Sequence, residues 1–186
     1  MQIKKLAILS ILALSLFTGC NDDKNINEDV VATTKPQVEQ LPTFHLKTTT
    51  GKDITIEVTK DGWNFKEYPN KAVLLTFFAT WCPPCKAEIP HLINLQKKHS
   101  KDFQVIAVVV ERDKSNKSLN TFIKNHNITY PITNSQENFN LAGAVGGVSS
   151  IPAMFLFNKK GLVVQNYVGA VHEEILESDI TKAIGK

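Results

Sequence analysis

The residues of this 186-residue chain whose types and spacing could do chemistry are Cys82 and Cys85, in the stretch Trp81-Cys82-Pro83-Pro84-Cys85. A CxxC pair can be half of a zinc site, a haem attachment or a redox dithiol. Zinc needs two more ligands, and neither a second CxxC nor a close Cys/His pair accompanies this one. Haem attachment needs His directly after the second cysteine, where Lys86 stands. What remains is dithiol–disulfide exchange, a two-electron reaction requiring no cofactor and no metal. His45, His91, His99, His126 and His172 are scattered along the chain and read as surface or packing residues rather than ligands.

The position of the pair sharpens this reading. Ala72 to Ala79 is a near-continuous apolar run of strand length, as in a strand covered on both faces. A helix is expected from about Pro83 to His99, so the cysteines fall at a strand-to-helix junction. Cys82 then takes the N-cap and Pro83 the first helical position, where a missing N–H costs nothing. An exposed Cys82 sulfur at the positive end of the helix is stabilised as a thiolate and becomes the nucleophile. Cys85, one turn deeper on the same face, is placed to resolve the mixed disulfide.

The rest of the chain supplies a frame for that junction. Phe44 to Lys47 and Ile54 to Val58 alternate apolar and polar residues around Thr50-Gly51-Lys52-Asp53, the pattern of a β-hairpin. Asp61 to Asn70 reads as irregular, with Trp63, Phe65 and Tyr68 packing over the core edge. Phe103 to Val110 is a second buried strand; Ser118 to Asn125 is helical, and a short helix is expected near Phe139 to Ala142. Ala153 to Phe157 and Leu162 to Tyr167 are strands joined by a turn ending in Gly161, where positive φ is cheap. His172 to Ile184 reads as a closing amphipathic helix with Ile175, Leu176, Ile180 and Ile184 on one face. The order predicts an α/β fold, a mixed central sheet with helices on both sides.

The direction of electron flow has one local determinant. Pro83 and Pro84 delete two N–H donors near Cys82, and no basic or His residue lies between the cysteines. A less stabilised thiolate makes the reduced form a better electron donor. Reference couples run from about −270 mV for thioredoxin to about −120 mV for a strong oxidant, and these features place the protein in the reducing half.

The N-terminus reads as an address. Lys4 and Lys5 precede an apolar run from Leu6 to Phe17, the layout of an export signal, and the run falls short of the about 20 residues a membrane span needs. It ends in Leu16-Phe17-Thr18-Gly19-Cys20. Small residues directly before a cysteine resemble the lipobox of bacterial lipoproteins, in which Cys20 is lipidated and becomes the first residue. Removing residues 1–19 leaves 167 residues and lowers the formal charge from +3 to +1, so nothing argues for a nucleic-acid partner. Residues 20–40 read as the lipidated N-terminus and a polar tether with a reach of about 25 Å; residues 41–186 form one domain.

From about Leu41 onward the chain resembles the thioredoxin superfamily and, within it, the membrane-anchored TlpA/ResA/CcmG group of thiol-disulfide oxidoreductases. The resemblance rests on Pro42-Thr43-Phe44-His45-Leu46 with Gly51-Lys52, on Phe78-Ala79-Thr80-Trp81-Cys82-Pro83-Pro84-Cys85, and on Ile151-Pro152 with Phe155 to Gly161. It implies a thioredoxin-like three-layer sandwich with an N-terminal β-hairpin. It makes Pro152 a cis-proline opposite the cysteines and gives Trp81, Ile151 and Pro152 the task of docking the substrate backbone. Glu88 matches the acidic residue this group keeps as a proton acceptor for Cys85, whereas thioredoxins carry a buried Asp where this chain has Thr76. Pro90 matches a structural helix proline. Ile151, before the proline, is the residue typical of reducing thioredoxins, while Ala153 stands where cytochrome-maturation reductases place Glu.

The resemblance further implies disulfide-containing exported proteins as substrates, apocytochrome c among them. It implies a membrane thiol reductase of DsbD or CcdA type as electron donor, and a monomer held by lipid in the periplasm or on the outer face of the cytoplasmic membrane. Competing chemistries of the same fold fit less well. A peroxiredoxin wants Pro and Thr where Leu75 and Ala79 stand, and a copper-delivery protein of Sco type spreads its cysteines as CxxxC. A dithiol oxidase or isomerase stays open as an alternative, as does a lipid-anchored binding module without redox turnover.

Overall fold

A strand buried on both faces organises the molecule. In the computed structural model, which describes residues 41–186, every residue of Ala72–Phe78 is buried, and its side chains alternate between two cores. Leu74 and Phe78 point to one side, Val73, Leu75 and Phe77 to the other, as the two-residue period of a strand requires. With the preceding strands numbered β1 (Thr43–Lys47), β2 (Asp53–Thr59) and β3 (Gly62–Phe65), this is β4. It pairs parallel with β5 (Phe103–Val109) and antiparallel with β7 (Ala153–Phe157). Adding β6 (Ile132–Thr133) and β8 (Val163–Val168) gives a five-stranded mixed sheet of order β6-β5-β4-β7-β8.

One face of this sheet is covered by helices α1 (Pro83–Lys98), α2 (Asn116–Asn125) and α4 (Glu173–Ala183), which contribute Ile89, Leu92, Leu119, Leu176 and Ile180 to the first core. The other face carries α3 (Glu137–Ala144) together with the antiparallel sheet β1-β2-β3. The expected layers therefore stand, with the hairpin extended. Phe65 is buried, and Trp63 stacks on Phe44 and packs against Phe157 at a centroid distance of 5.3 Å.

The structure corrects several expectations. Part of Asp61–Asn70, read as irregular, is strand β3, which pairs with β2 from Ile56↔Phe65 to Thr59↔Gly62. Strand β6 was not anticipated, being two residues long and ordered by pairing with Ala107 and Val108. Ile175 does not join Leu176 and Ile180 in the core but is 50% exposed, because a helix turn buries only part of its circumference. Strand β8 begins one residue later than expected and lies largely exposed at the sheet edge. Residues 1–40, which include the export signal, Cys20 and the tether, lie outside the described residues. Among the described residues no helix is long and apolar enough to cross a membrane.

Candidate active site

The sheet delivers the cysteines through its central strand. After Phe78 the chain leaves β4, and Val110 N–H donates to the Phe78 carbonyl, extending the parallel pairing by one step. Thr80 is then clamped. Its N–H and its Oγ1–H both donate to Oε2 of Glu111, at 3.0 and 2.7 Å, while Lys114 pairs with Oε1 at 3.0 Å. Burial pushes the Glu111 carboxyl up, but the bonds from Thr80 and Lys114 outweigh it and hold the group below its ordinary range. Sequence reasoning passed over Glu111; one acidic residue after a strand carries no signal of a partner 31 residues away.

Cys82 is the N-cap of α1 and Pro83 its first residue, as the sequence predicts. Cys82 and Cys85 form a disulfide with a Cα separation of 5.3 Å. The Cys85 N–H donates to Cys82 Sγ at 3.2 Å, so one backbone donor survives the two prolines. The expectation of an exposed Cys82 is corrected: only 2% of its surface reaches solvent, because its sulfur is bonded to Cys85 and lies 3.8 Å from the Ile151 carbonyl oxygen. Trp81 beside it is 65% exposed. The Ile151–Pro152 peptide is cis, and Pro152 is buried.

Behind the disulfide, Cys85 borders a cavity of only about 10 Å³, walled by Thr76, Phe78, Ile89 and Tyr130. Thr76, on β4 where the resemblance sets a thioredoxin Asp, lines this cavity with Cys85. Tyr130 is 6% exposed; burial first, and then the nearby Glu88 charge, push its phenol upward. Glu88 lies one turn beyond Cys85 and is 2% exposed, so it is not an ordinary solvated carboxylate. Its Oε1 accepts the Val171 N–H at 2.5 Å, and its Oε2 is buried without a partner. Burial pushes the Glu88 carboxyl above its ordinary range, against the opposing pull of the Val171 bond and of His91 and His172.

The structure therefore gathers Trp81, Cys82, Cys85, Glu88, Ile151 and Pro152 at one end of the central sheet. Pro90 sits inside α1, where it leaves the Lys86 carbonyl without its helical donor. A cavity of about 610 Å³ lies between the β7–β8 turn and the end of α4 and is lined by neither cysteine. Of the histidines, His45 is exposed and His126 packs on Phe122 at 4.4 Å between ring centroids.

A cysteine pair at a helix N-terminus, beside a cis-proline at one end of a mixed sheet, defines a thiol-disulfide oxidoreductase of thioredoxin-like fold. The chain belongs to the Redoxin family, which matches residues 37–184. Among curated proteins it is similar to the thioredoxin-like protein YneN of Bacillus subtilis, 30% identical over 178 residues that cover 95% of this chain and 96% of that one. It is also similar to the thiol-disulfide oxidoreductase ResA of Bacillus subtilis, 33% identical over 135 residues, covering 73% and 69%. Among solved structures, a thiol:disulfide interchange protein of the thioredoxin family from Chlorobium tepidum superposes with a TM-score of 0.64 at 26% identity, covering 78% of this chain and 96% of that one. StoA from Bacillus subtilis gives 0.58 at 27%, covering 74% and 95%. These likenesses place the chain in the TlpA/ResA/CcmG group of the thioredoxin superfamily.

Proposed function

We propose that this oxidoreductase works as a reductase of disulfides in exported proteins, with Cys82 as nucleophile, Cys85 as resolving thiol and Glu88 as the proton acceptor for Cys85. The observation that carries the reading is the buried Glu88 carboxyl one turn from Cys85, with one oxygen held by Val171 and the other unpartnered. A thiol must lose its proton before it can attack, and a buried carboxylate with one free oxygen is a receptive acceptor.

In this reading the Cys82 thiolate attacks a substrate disulfide, and one substrate thiolate leaves. Cys85 passes its proton to Glu88 and attacks Cys82 Sγ, which releases the second substrate thiolate and closes the Cys82–Cys85 bond. Exposed Trp81 and the Ile151–Pro152 turn offer an extended substrate its docking surface. The reducing direction is supported by the two prolines beside Cys82, which leave the Cys85 N–H as the donor to its sulfur.

The wider setting follows from the N-terminal sequence and the family resemblance. Cys20 carries the lipid, residues 1–19 are the removed signal and residues 20–40 the tether of the 41–186 domain. The monomeric protein is held at the outer face of a membrane. Its electrons come from a membrane thiol reductase of DsbD or CcdA type, and apocytochrome c is among its substrates. The deciding experiment is the midpoint potential of the Cys82–Cys85 couple, equilibrated against a glutathione or dithiothreitol series at neutral pH. A value near or below about −220 mV supports a reductase, and one near about −120 mV makes the protein a dithiol oxidase.

A further inference from the structure

Glu88 forms part of the wall of a second cavity, about 350 Å³, that also takes in His91, Val171, His172, Glu173 and Glu174. Its rim is wet, since His172 and Glu174 are exposed. His91 lies one turn beyond Glu88 on α1, and residues three apart share a helix face. Its Nδ1 lies 2.6 Å from Oε2 of Glu173, at the start of α4 and 82 residues away in sequence. With Nδ1–H donated to that carboxylate, the neutral imidazole keeps its lone pair on Nε2. The charged and titratable groups around Glu88 are His91 on its own helix, His172 ahead of α4 and Tyr130 from the opposite side; Glu173 and Glu174 border the same cavity.

A buried proton acceptor must also be emptied. Glu88 lines this cavity but is only 2% exposed, with Oε2 buried, so a proton taken from Cys85 needs a carrier to the wet rim before the next turnover.

We propose that His91, oriented by Glu173, is the relay that passes the proton between buried Glu88 and solvent each time the Cys82–Cys85 disulfide closes or opens. The proposal rests on the reading of Glu88 as the acceptor for Cys85. As the disulfide closes, Cys85 S–H gives its proton to Glu88, and the thiolate forms the bond to Cys82 Sγ. The bond from Cys82 to the substrate sulfur breaks, its electron pair leaves with that sulfur, and the substrate thiolate takes a proton from water. Two electrons pass from the enzyme dithiol to the substrate disulfide. The Glu88 proton moves to His91 Nε2 and on to water, which returns Glu88 to its ionised form. Opening of the disulfide by a donor thiol runs the same path backwards. His91 is a positioning and relay residue, since it touches neither sulfur.

The test uses the full chain, reduced and mixed with excess oxidised glutathione, with tryptophan fluorescence reporting disulfide closure. The first-order rate reached at high glutathione disulfide follows the Cys85 step. In dilute buffer H91Q should lower that plateau about a hundredfold, the lower end of what positioned proton transfer contributes. Added imidazole, small enough for the 350 Å³ cavity, should restore it. E173Q should lower it by about twofold to threefold, H172Q should leave it unchanged, and E88Q should be slow whether or not imidazole is added. A slow H91Q that imidazole does not restore, or a loss in H172Q instead, overturns the relay. A wild-type plateau in H91Q beside a slow E88Q overturns the relay and leaves Glu88 as acceptor, whereas a wild-type plateau in E88Q removes the acceptor reading itself.

Discussion

Oε2 of Glu111 accepts two hydrogen bonds from Thr80, one from the backbone N–H at 3.0 Å and one from the hydroxyl at 2.7 Å. The contact ties the segment after β5 to the loop that presents Trp81 and Cys82, two positions before the reactive sulfur. Replacing Glu111 by Ala leaves both donors of half-buried Thr80 without this partner; an unmet polar group costs about 1–3 kcal/mol when fully buried, and Thr80 falls in the lower part of that range. We expect E111A to lower stability in urea by about 1–2 kcal/mol and E111Q by less than half of that, because the amide still offers an acceptor oxygen. Glutathione disulfide should oxidise E111A more slowly as well, since the loop that carries Cys82 loses its anchor. A wild-type unfolding midpoint in E111A would show the clamp to be inert.

Glu88 behaves in the opposite electrostatic sense. Its folded-state carboxyl is raised above the ordinary value of 4.5, chiefly by burial. The folded chain therefore holds this proton more tightly than the unfolded chain does. The stability so contributed is fully present below the ordinary carboxylate range and is lost as pH rises through the raised folded value. E88Q, which stays neutral, should gain on the parent protein as pH rises through that window. Thermal unfolding of the oxidised forms should give E88Q a Tm higher by about 2–4 °C at pH 7, the response of a domain of this size to about 1 kcal/mol, and the difference should vanish near pH 4. An equal difference at both pH values would mean that the charge is not its cause.

Gly161 joins the two sheets. Trp63 N–H donates to its carbonyl at 2.8 Å, and a Cβ on Gly161 would fall 1.8 Å from the Trp63 carbonyl oxygen, at a φ of +76° that side chains rarely adopt. G161A should therefore destabilise the domain by about 2 kcal/mol or more through both the clash and the backbone conformation. The three-stranded sheet packs on the face of the central sheet opposite α1, so the midpoint potential should move far less than the stability. Urea unfolding together with a redox titration of the variant checks both halves, and a G161A as stable as the parent would refute the crowding at this joint.

How much of this was readable beforehand follows from the range of each interaction. The Cys82 N-cap, Pro83 at the helix start and the two-sided burial of β4 depend on neighbours a few residues apart, so periodicity and capping chemistry reveal them in the chain itself. Resemblance added Pro152 and Glu88, whose roles no local pattern discloses. Strand β6, two residues long, exists through its pairing with β5, and β3 through its pairing with β2; neither has a period long enough to show by itself. The same holds at the site. That Glu88 is buried, that His91 meets Glu173 and that Glu111 holds Thr80 depend on residues 31 to 83 positions apart in the chain being brought together. The sequence alone determined which sulfurs could react and at the end of which helix they stand, because those depend on bonded and near neighbours. Only the tertiary structure decided which carboxylate of this end of the sheet is cut off from water and which one finds partners, because desolvation and charge pairing are properties of packed space rather than of order along the chain.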